Sequence, residues 1–420
     1  MDPVILQQLE SLSVTETACR SCGSEVLAPI LDLGRTPLAD RLVPKQKASE
    51  AELTFPLVVA FCPECALVQI LETVGPEILY ASNYPYFSSF SPALLAHSRA
   101  NVLDRIAERS LDKSSFVIEL ASNDGYLLRN YIERGIPVLG IDPAEGPAAD
   151  AEKRGVKTLC AFFTEQLAND VAREFGTADV LHANNVLAHV NDTNGFVKGI
   201  RQLLKPDGVS VLEMPHLLPL MENVEFDTIY HEHHCYFSMT ALDKLFRRNG
   251  LYINRVEQLS LHGGSLRIFA GCIENVEPSV TELLAHEHAV GLDRVDYYRD
   301  FAQQVEALRD RLVGLLAQLK TEGKSIAAYG AAAKGATLLN YCGIDYDTID
   351  FVVDRNENKH GLLMPGAKIP ILAPEALLEK RPDYVLVLAW NFIDEIIAQQ
   401  SGYLASGGKF ILPVPEPRVL

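Results

Sequence analysis

Two stretches of this chain alternate short apolar runs with segments of helical period, and such alternation leaves little open besides a parallel sheet flanked by helices. In the first stretch the strand candidates are Phe116–Leu120, Val138–Ile141, Val180–His182 and Val209–Glu213. In the second they are Ser325–Tyr329, Ile349–Val353 and Tyr384–Ala389, after a charged helical stretch from Val290 to Thr321. An amphipathic stretch, Pro92 to Arg109, leads into the first series. The expected class is α/β, with two Rossmann-like parallel-sheet units. At 420 residues the chain exceeds what one hydrophobic core supports, which agrees with several domains.

Ahead of both series stand two pairs, Cys19-Arg20-Ser21-Cys22 and Cys62-Pro63-Glu64-Cys65, among turn residues such as Gly34, Pro37 and Pro44. Four thiolates in two knuckles close a tetrahedral zinc site and leave no position for water, so the metal is expected to be structural. The intervening loop is longer than in common zinc ribbons. Four unpaired core cysteines are the plainer alternative, and a redox pair a more remote one. Cys160, Cys235, Cys272 and Cys342 read as ordinary core residues. The expected division is a small zinc-binding module at 1–78, a middle domain at 79–256 and a C-terminal domain at 257–420.

A formal net charge of −18 opposes a surface built to neutralise phosphate backbones, so a small molecule is expected as partner and nucleic acid is not. No apolar run reaches the length of a membrane span. Met1 to Glu16 lacks the basic start and apolar middle of a secretory signal, so a cytoplasmic location is expected. A monomer is the expected state.

After the strand Phe116–Leu120 comes Glu119-Leu120-Ala121-Ser122-Asn123-Asp124-Gly125, whose small residues let the chain turn tightly into a helix beside a ligand. The next strand ends in Asp142, where an acidic side chain takes ribose hydroxyls in nucleotide-binding folds. A dinucleotide fingerprint wants glycine where Ala121 and Asn123 stand, because backbone must approach a pyrophosphate. A ligand without phosphate tolerates them. Leu204-Lys205-Pro206-Asp207-Gly208-Val209 resembles a segment that recurs in methyltransferases using S-adenosylmethionine. A nicotinamide-binding fold, or a turn with no ligand, is the alternative.

Tyr230-His231-Glu232-His233-His234-Cys235-Tyr236 packs three imidazoles, a carboxylate and two phenols into seven residues. It lacks the His-Glu-x-x-His spacing that puts two imidazoles on one helix face for a metal, so acid and base work fits better. Histidines satisfying loop backbone are the plain alternative. Farther on, Gly330-Ala331-Ala332-Ala333-Lys334-Gly335 opens a helix after a strand, where N–H groups and a lysine can meet a diphosphate. Asp354 ends the following strand and could accept from hydroxyls, or simply form a turn.

These motifs, together with Tyr84-Pro85-Tyr86-Phe87-Ser88-Ser89, Asn184-Asn185-Val186-Leu187-Ala188-His189 and His262-Gly263-Gly264-Ser265-Leu266-Arg267, give the chain a nearly end-to-end resemblance to a family. It resembles the nucleotide-sugar C-methyltransferases that act on keto-deoxy sugars in antibiotic biosynthesis, especially the 3-C-methyltransferases. The resemblance implies a zinc-binding N-terminal domain, a Rossmann-like methyltransferase domain, and a Rossmann-like C-terminal domain that helps hold the nucleotide sugar. It implies S-adenosylmethionine as cofactor, with Glu119, Ala121, Asn123, Gly125, Asp142 and Asn184 around it. Methylating carbon needs a carbanion, which a ketone supplies once a base takes the neighbouring proton and a donor meets the enolate oxygen. His233 is the expected base, with Glu232 to orient or polarise it, and Tyr230, Tyr84 and His189, left unranked, to donate to the oxyanion or position the sugar. Tyr86, Ser88, His262, Arg267, Lys334 and Asp354 are expected to face the sugar nucleotide. Attack at C5, or methylation of oxygen or nitrogen on a related molecule, is the runner-up. An RNA-modifying zinc-ribbon enzyme and a non-catalytic sugar-nucleotide binder stand farther off.

Overall fold

The computed structural model describes residues 12–79, 87–260 and 263–420. Tyr84, Tyr86 and His262 lie outside them. None of the described helices is long and apolar enough to cross a membrane.

A seven-stranded sheet forms the middle of the molecule, in the order 252–259, 265–271, 204–215, 178–184, 117–120, 138–142, 158–160. The last five strands run parallel, as the alternating pattern predicts. The first two are antiparallel to their neighbours and extend the sheet past residue 256. The division expected at 256/257 therefore cuts through a hairpin, and the strand Ser265–Gly271 belongs with the middle sheet. All seven of its residues are buried, so no alternation marked it as a sheet member.

The helix Pro92–Arg109 forms as expected, opened by Ser91, whose side chain accepts from Leu94 N, and closed by Ser110 in a left-handed conformation. The charged stretch from Val290 does not begin a helix. Gly291, at φ +88°, ends the preceding helix Pro278–Val290, and the long helix runs Phe301–Thr321.

The C-terminal sheet has six strands in the order 371–372, 352–353, 326–329, 384–387, 409–412, 418–419, parallel except at the last pair. The zinc module is a four-stranded antiparallel sheet, and its edge strand, Cys235–Tyr236, comes from the middle of the chain. Cys235 pairs with Gln69 and Tyr236 with Val68. The module also reaches the C-terminal domain: Val43–Pro44 pairs with Leu362–Leu363, and Glu52 meets Lys368 at 2.6 Å. One apolar core accordingly runs from Leu57 and Phe61 through Phe226 and Ile229 to Leu308 and Ile326. A second joins Cys62, Cys65 and Leu67 to the middle sheet.

Candidate active site and zinc centre

The two knuckles bring Cys19 Sγ within 3.4 Å of Cys65 Sγ and Cys22 Sγ within 3.5 Å of Cys62 Sγ. All four sulfurs lie within 4.8 Å of one another. A disulfide is ruled out, since its sulfurs stand about 2.05 Å apart. Tetrahedral zinc with bonds of about 2.3 Å sets sulfurs about 3.8 Å apart, so the donor set fits that ion. Arg20, between the first two ligands, donates to Ile70 O, to Thr73 Oγ1 at 2.7 Å and to Asn191 Oδ1 at 2.8 Å. It thereby ties the knuckle to the wall of a cavity.

That cavity, about 450 Å³, opens at the carboxyl ends of the parallel strands, where α/β folds bind ligands. Ala121, Asn123, Asp142, Asn184, Ser88 and His189 all line it. Ala121 and Asn123 adopt φ of +53° and +49°, a conformation unusual for residues with a Cβ. Asp142 holds the turn together: one carboxylate oxygen accepts from Asn123 N and the other from Ala144 N, both at 2.8 Å. Its remaining lone pairs can still accept from two ribose hydroxyls. Asn123 Oδ1 in turn accepts from Ser88 N at 2.8 Å. Asn184 Oδ1 is buried without a partner among the described residues, as an atom awaiting a ligand would be. Phe162, Phe163 and Asn191 also line the wall and went unnoticed in the sequence.

Two expected cofactor residues stand elsewhere. Gly125, at φ +74°, is required by packing, because a Cβ there would meet Val156 at 2.7 Å. Glu119 is fully buried and absent from the cavity wall, with both carboxylate oxygens unpartnered among the described residues. Burial, with Asp142 and Asp124 nearby, pushes its carboxyl well up.

Beside the cavity, His189 meets His233 edge-on, ring centroids 4.7 Å apart. His233 Nδ1 stands 2.9 Å from Thr228 O, an oxygen that can only accept, so this nitrogen carries the proton. The unprotonated Nε2 accepts from the Tyr230 hydroxyl at 2.9 Å. Burial, then His189, holds the imidazole well below its ordinary pKa. His189 is likewise pushed down to about 4 by burial.

Glu232 does not orient His233. Its carboxyl faces Asp40 of the zinc module, and burial together with that second acid pushes it up to about 8. The Thr228 carbonyl does the orienting, and no sequence pattern distinguishes a backbone oxygen. His231 Nε2 donates to Pro56 O, and the His234 N–H to Ala188 O, so both brace the segment.

Arg267 is turned inward. In register with Glu213 and Glu257 across three strands, it bonds Glu213 at 2.7 Å, Glu257 at 2.9 Å and His97 at 3.0 Å. Burial pushes the Glu213 carboxyl up, but His97 and Arg267 outweigh it and hold it below the usual range. Asp354 accepts from the N–H groups of Ala331 and Asn356, at 2.7 and 2.8 Å, which is turn chemistry. Lys334 is brought near His233: its buried ammonium lies 4.3 Å from the Trp390 ring centroid and has no hydrogen-bond partner among the described residues.

Family models match residues 19–80 (described as "Putative zinc binding domain"), 94–256 (methyltransferase domain) and 260–415 (C-methyltransferase C-terminal domain). The C-methyltransferase NovU of Streptomyces niveus is 37% identical over 406 residues, 96% of each chain. A ubiquinone biosynthesis O-methyltransferase of Acinetobacter baumannii is 29% identical over 148 residues, 34% of this chain and 60% of that one. Among solved structures, a magnesium protoporphyrin IX methyltransferase from Synechocystis with bound S-adenosylmethionine aligns with 42% of this chain and 78% of its own, at 15% identity and a TM-score of 0.32.

Proposed function

The chain belongs to the C-methyltransferase family, and from that premise we propose that it methylates the carbon next to the ketone of a nucleotide-linked 4-keto-deoxy sugar, at C3. S-adenosylmethionine is the methyl donor, and when bound it supplies an electrophilic methyl on a sulfonium. The observation that carries the reading is the His233 tautomer: the Thr228 carbonyl accepts from Nδ1–H, so Nε2 carries no proton and can act as a base. Methyl transfer to a hydroxyl or amine has less need of such a base, since those atoms already carry a lone pair.

In this reading His233 Nε2 takes the proton from the sugar carbon, leaving an enolate on the substrate. The Tyr230 hydroxyl, which rests on Nε2 before substrate arrives, turns to the enolate oxygen as donor. His189 stands between this pair and the cofactor cavity, where a neutral imidazole can donate to the same oxygen or position the ring. Tyr84 remains a second candidate donor, and Tyr86, Ser88 and His262 remain candidates for holding the sugar nucleotide. Asn123, Asp142 and Asn184 hold the donor in its cavity, and the zinc is structural, since four thiolates leave it no open position. Action at C5 remains the nearest alternative.

Incubation with methyl-labelled S-adenosylmethionine and a panel of nucleotide-linked 4-keto-deoxy sugars tests this directly. Label should appear on a ring carbon next to the ketone. His233→Asn should lower kcat by at least about a hundredfold, the scale of a lost general base, with cofactor affinity near that of the unaltered protein. Label on oxygen or nitrogen refutes the reading, and loss of cofactor binding in the variant makes His233 structural.

A further inference from the structure

The short turn Phe226–Thr228 leads into the catalytic segment, and it carries a side chain that the mechanism above leaves unused. Asp227 is fully buried, one carboxylate oxygen accepting from Trp390 Nε1 at 2.6 Å and the other without a partner among the described residues. Across the same indole stands Lys334, at the start of the helix Ala333–Cys342. That helix is fastened to the turn, since Thr337 Oγ1 donates to Ile229 O at 3.2 Å. Asp227 and Glu225 act on the Lys334 ammonium through space, yet neither makes a hydrogen bond with it. Three donors on one side and a free acceptor on the other thus converge at one place beside the base.

We propose that Lys334 and Asp227 together read one hydroxyl of the substrate sugar, Lys334 donating to its oxygen and Asp227 accepting its proton. The inference rests on the nucleotide-sugar reading above and gives Lys334 a different ligand from the diphosphate that its helix-opening motif suggests. A diphosphate only accepts and is anionic, so two carboxyls beside the ammonium oppose it. A hydroxyl donates and accepts through one atom and satisfies both unpaired groups. Burial pushes the Asp227 carboxyl up to about 6, which leaves it ionised at neutral pH and able to accept. Because Asp227 adjoins Thr228, whose carbonyl sets the His233 tautomer, the contact that recognises the hydroxyl also aligns the base with the ring.

The chain holds a single tryptophan, Trp390, so its fluorescence reports on this place, with calorimetry supplying affinities. The probes are a dTDP-linked 4-keto-6-deoxyhexose, its C2- and C3-deoxy analogues, and dTDP alone, titrated into the zinc-loaded full chain. Loss of the recognised hydroxyl should weaken binding on the order of 10- to 100-fold, as for a buried hydrogen bond to charged groups. Lys334→Met should weaken the full sugar comparably, shrink that discrimination to within about twofold, and leave dTDP affinity within about twofold. Asp227→Asn, which keeps an acceptor for Trp390, should also lose the discrimination, and unchanged S-adenosylmethionine affinity certifies that each variant folds. Marked loss of dTDP binding in Lys334→Met overturns the proposal in favour of a diphosphate cradle. Equal affinity of the unaltered chain for all three sugars, or discrimination that survives both substitutions, also overturns it. If the unaltered chain binds dTDP but gains nothing from any sugar, or binds none of the probes, the nucleotide-sugar reading itself falls and this inference with it.

Discussion

The basicity of His233 is arranged by atoms that a sequence motif does not display. A carbonyl five residues upstream fixes which nitrogen is bare, and a phenol three residues upstream rests on it. With its pKa held below the ordinary value by burial, the imidazole is neutral across the physiological range. In the proposed reaction this base must be unprotonated, so activity should be lost as pH falls through the folded pKa. The acid limb of kcat/KM should therefore lie below about pH 6.5, the ordinary histidine value, and a limb centred there would show an imidazole in ordinary surroundings. Tyr230→Phe should lower kcat by about ten- to a hundredfold with cofactor affinity unchanged, as measured by single-turnover kinetics and calorimetry. At this scale the sequence singled out the segment by its density: His233 and Tyr230 stood out because few short segments hold so many titratable groups. Asp227 and Trp390 did not, being 163 residues apart and individually ordinary. Arg267 misled for the converse reason, since a charged residue in a glycine-rich motif looks like a ligand contact until its three protein partners are seen.

Between elements, the consequential pairing is the strand Cys235–Tyr236 on the edge of the zinc module's sheet. It ties the segment that carries His233 to the sheet of the knuckles. His231 and Pro56 add a second tether, and Ile70 N to His234 O a third. Removing zinc with a chelator, or introducing Cys62→Ser, should release this segment. Hydrogen exchange at the amides of 68–70 and 234–236 should quicken at least about tenfold, and methyl transfer should fall with it. Unchanged protection there after complete metal removal would show that the segment holds its place unaided. Seven parallel strands of the two large sheets were legible from their apolar runs, and the four cysteines from their spacing, whereas the short strands Thr158–Cys160, Ile371–Leu372 and Lys409–Leu412 were not. The two-residue strand was not, because it is too short to show a period and its partner lies 166 residues away in sequence, from Gln69 to Cys235. The hairpin of 252–259 and 265–271 was hidden by near-continuous burial of its second strand.

The molecule as a whole is more continuous than its motif map suggests. Zinc-module residues contribute to the core shared with the C-terminal domain and to the core of the middle sheet. Domains joined in this way should unfold together, so calorimetry should record one transition whose calorimetric and van't Hoff enthalpies agree. Separate transitions for the two large sheets would contradict that picture. The same continuity brings three contributions together: the cavity at the middle sheet, the His233 segment that pairs with the zinc module's edge, and Lys334 and Trp390 from the C-terminal domain. If the purpose of this arrangement is to form an enolate, proton removal must be possible without methyl transfer. The decisive measurement is deuterium exchange in D2O at the carbon beside the ketone of a bound nucleotide-linked 4-keto-deoxy sugar, with S-adenosylhomocysteine replacing the methyl donor. The account predicts exchange at that carbon that disappears in His233→Asn; exchange that persists in the variant, or none in an unaltered protein that methylates the same sugar, would contradict it.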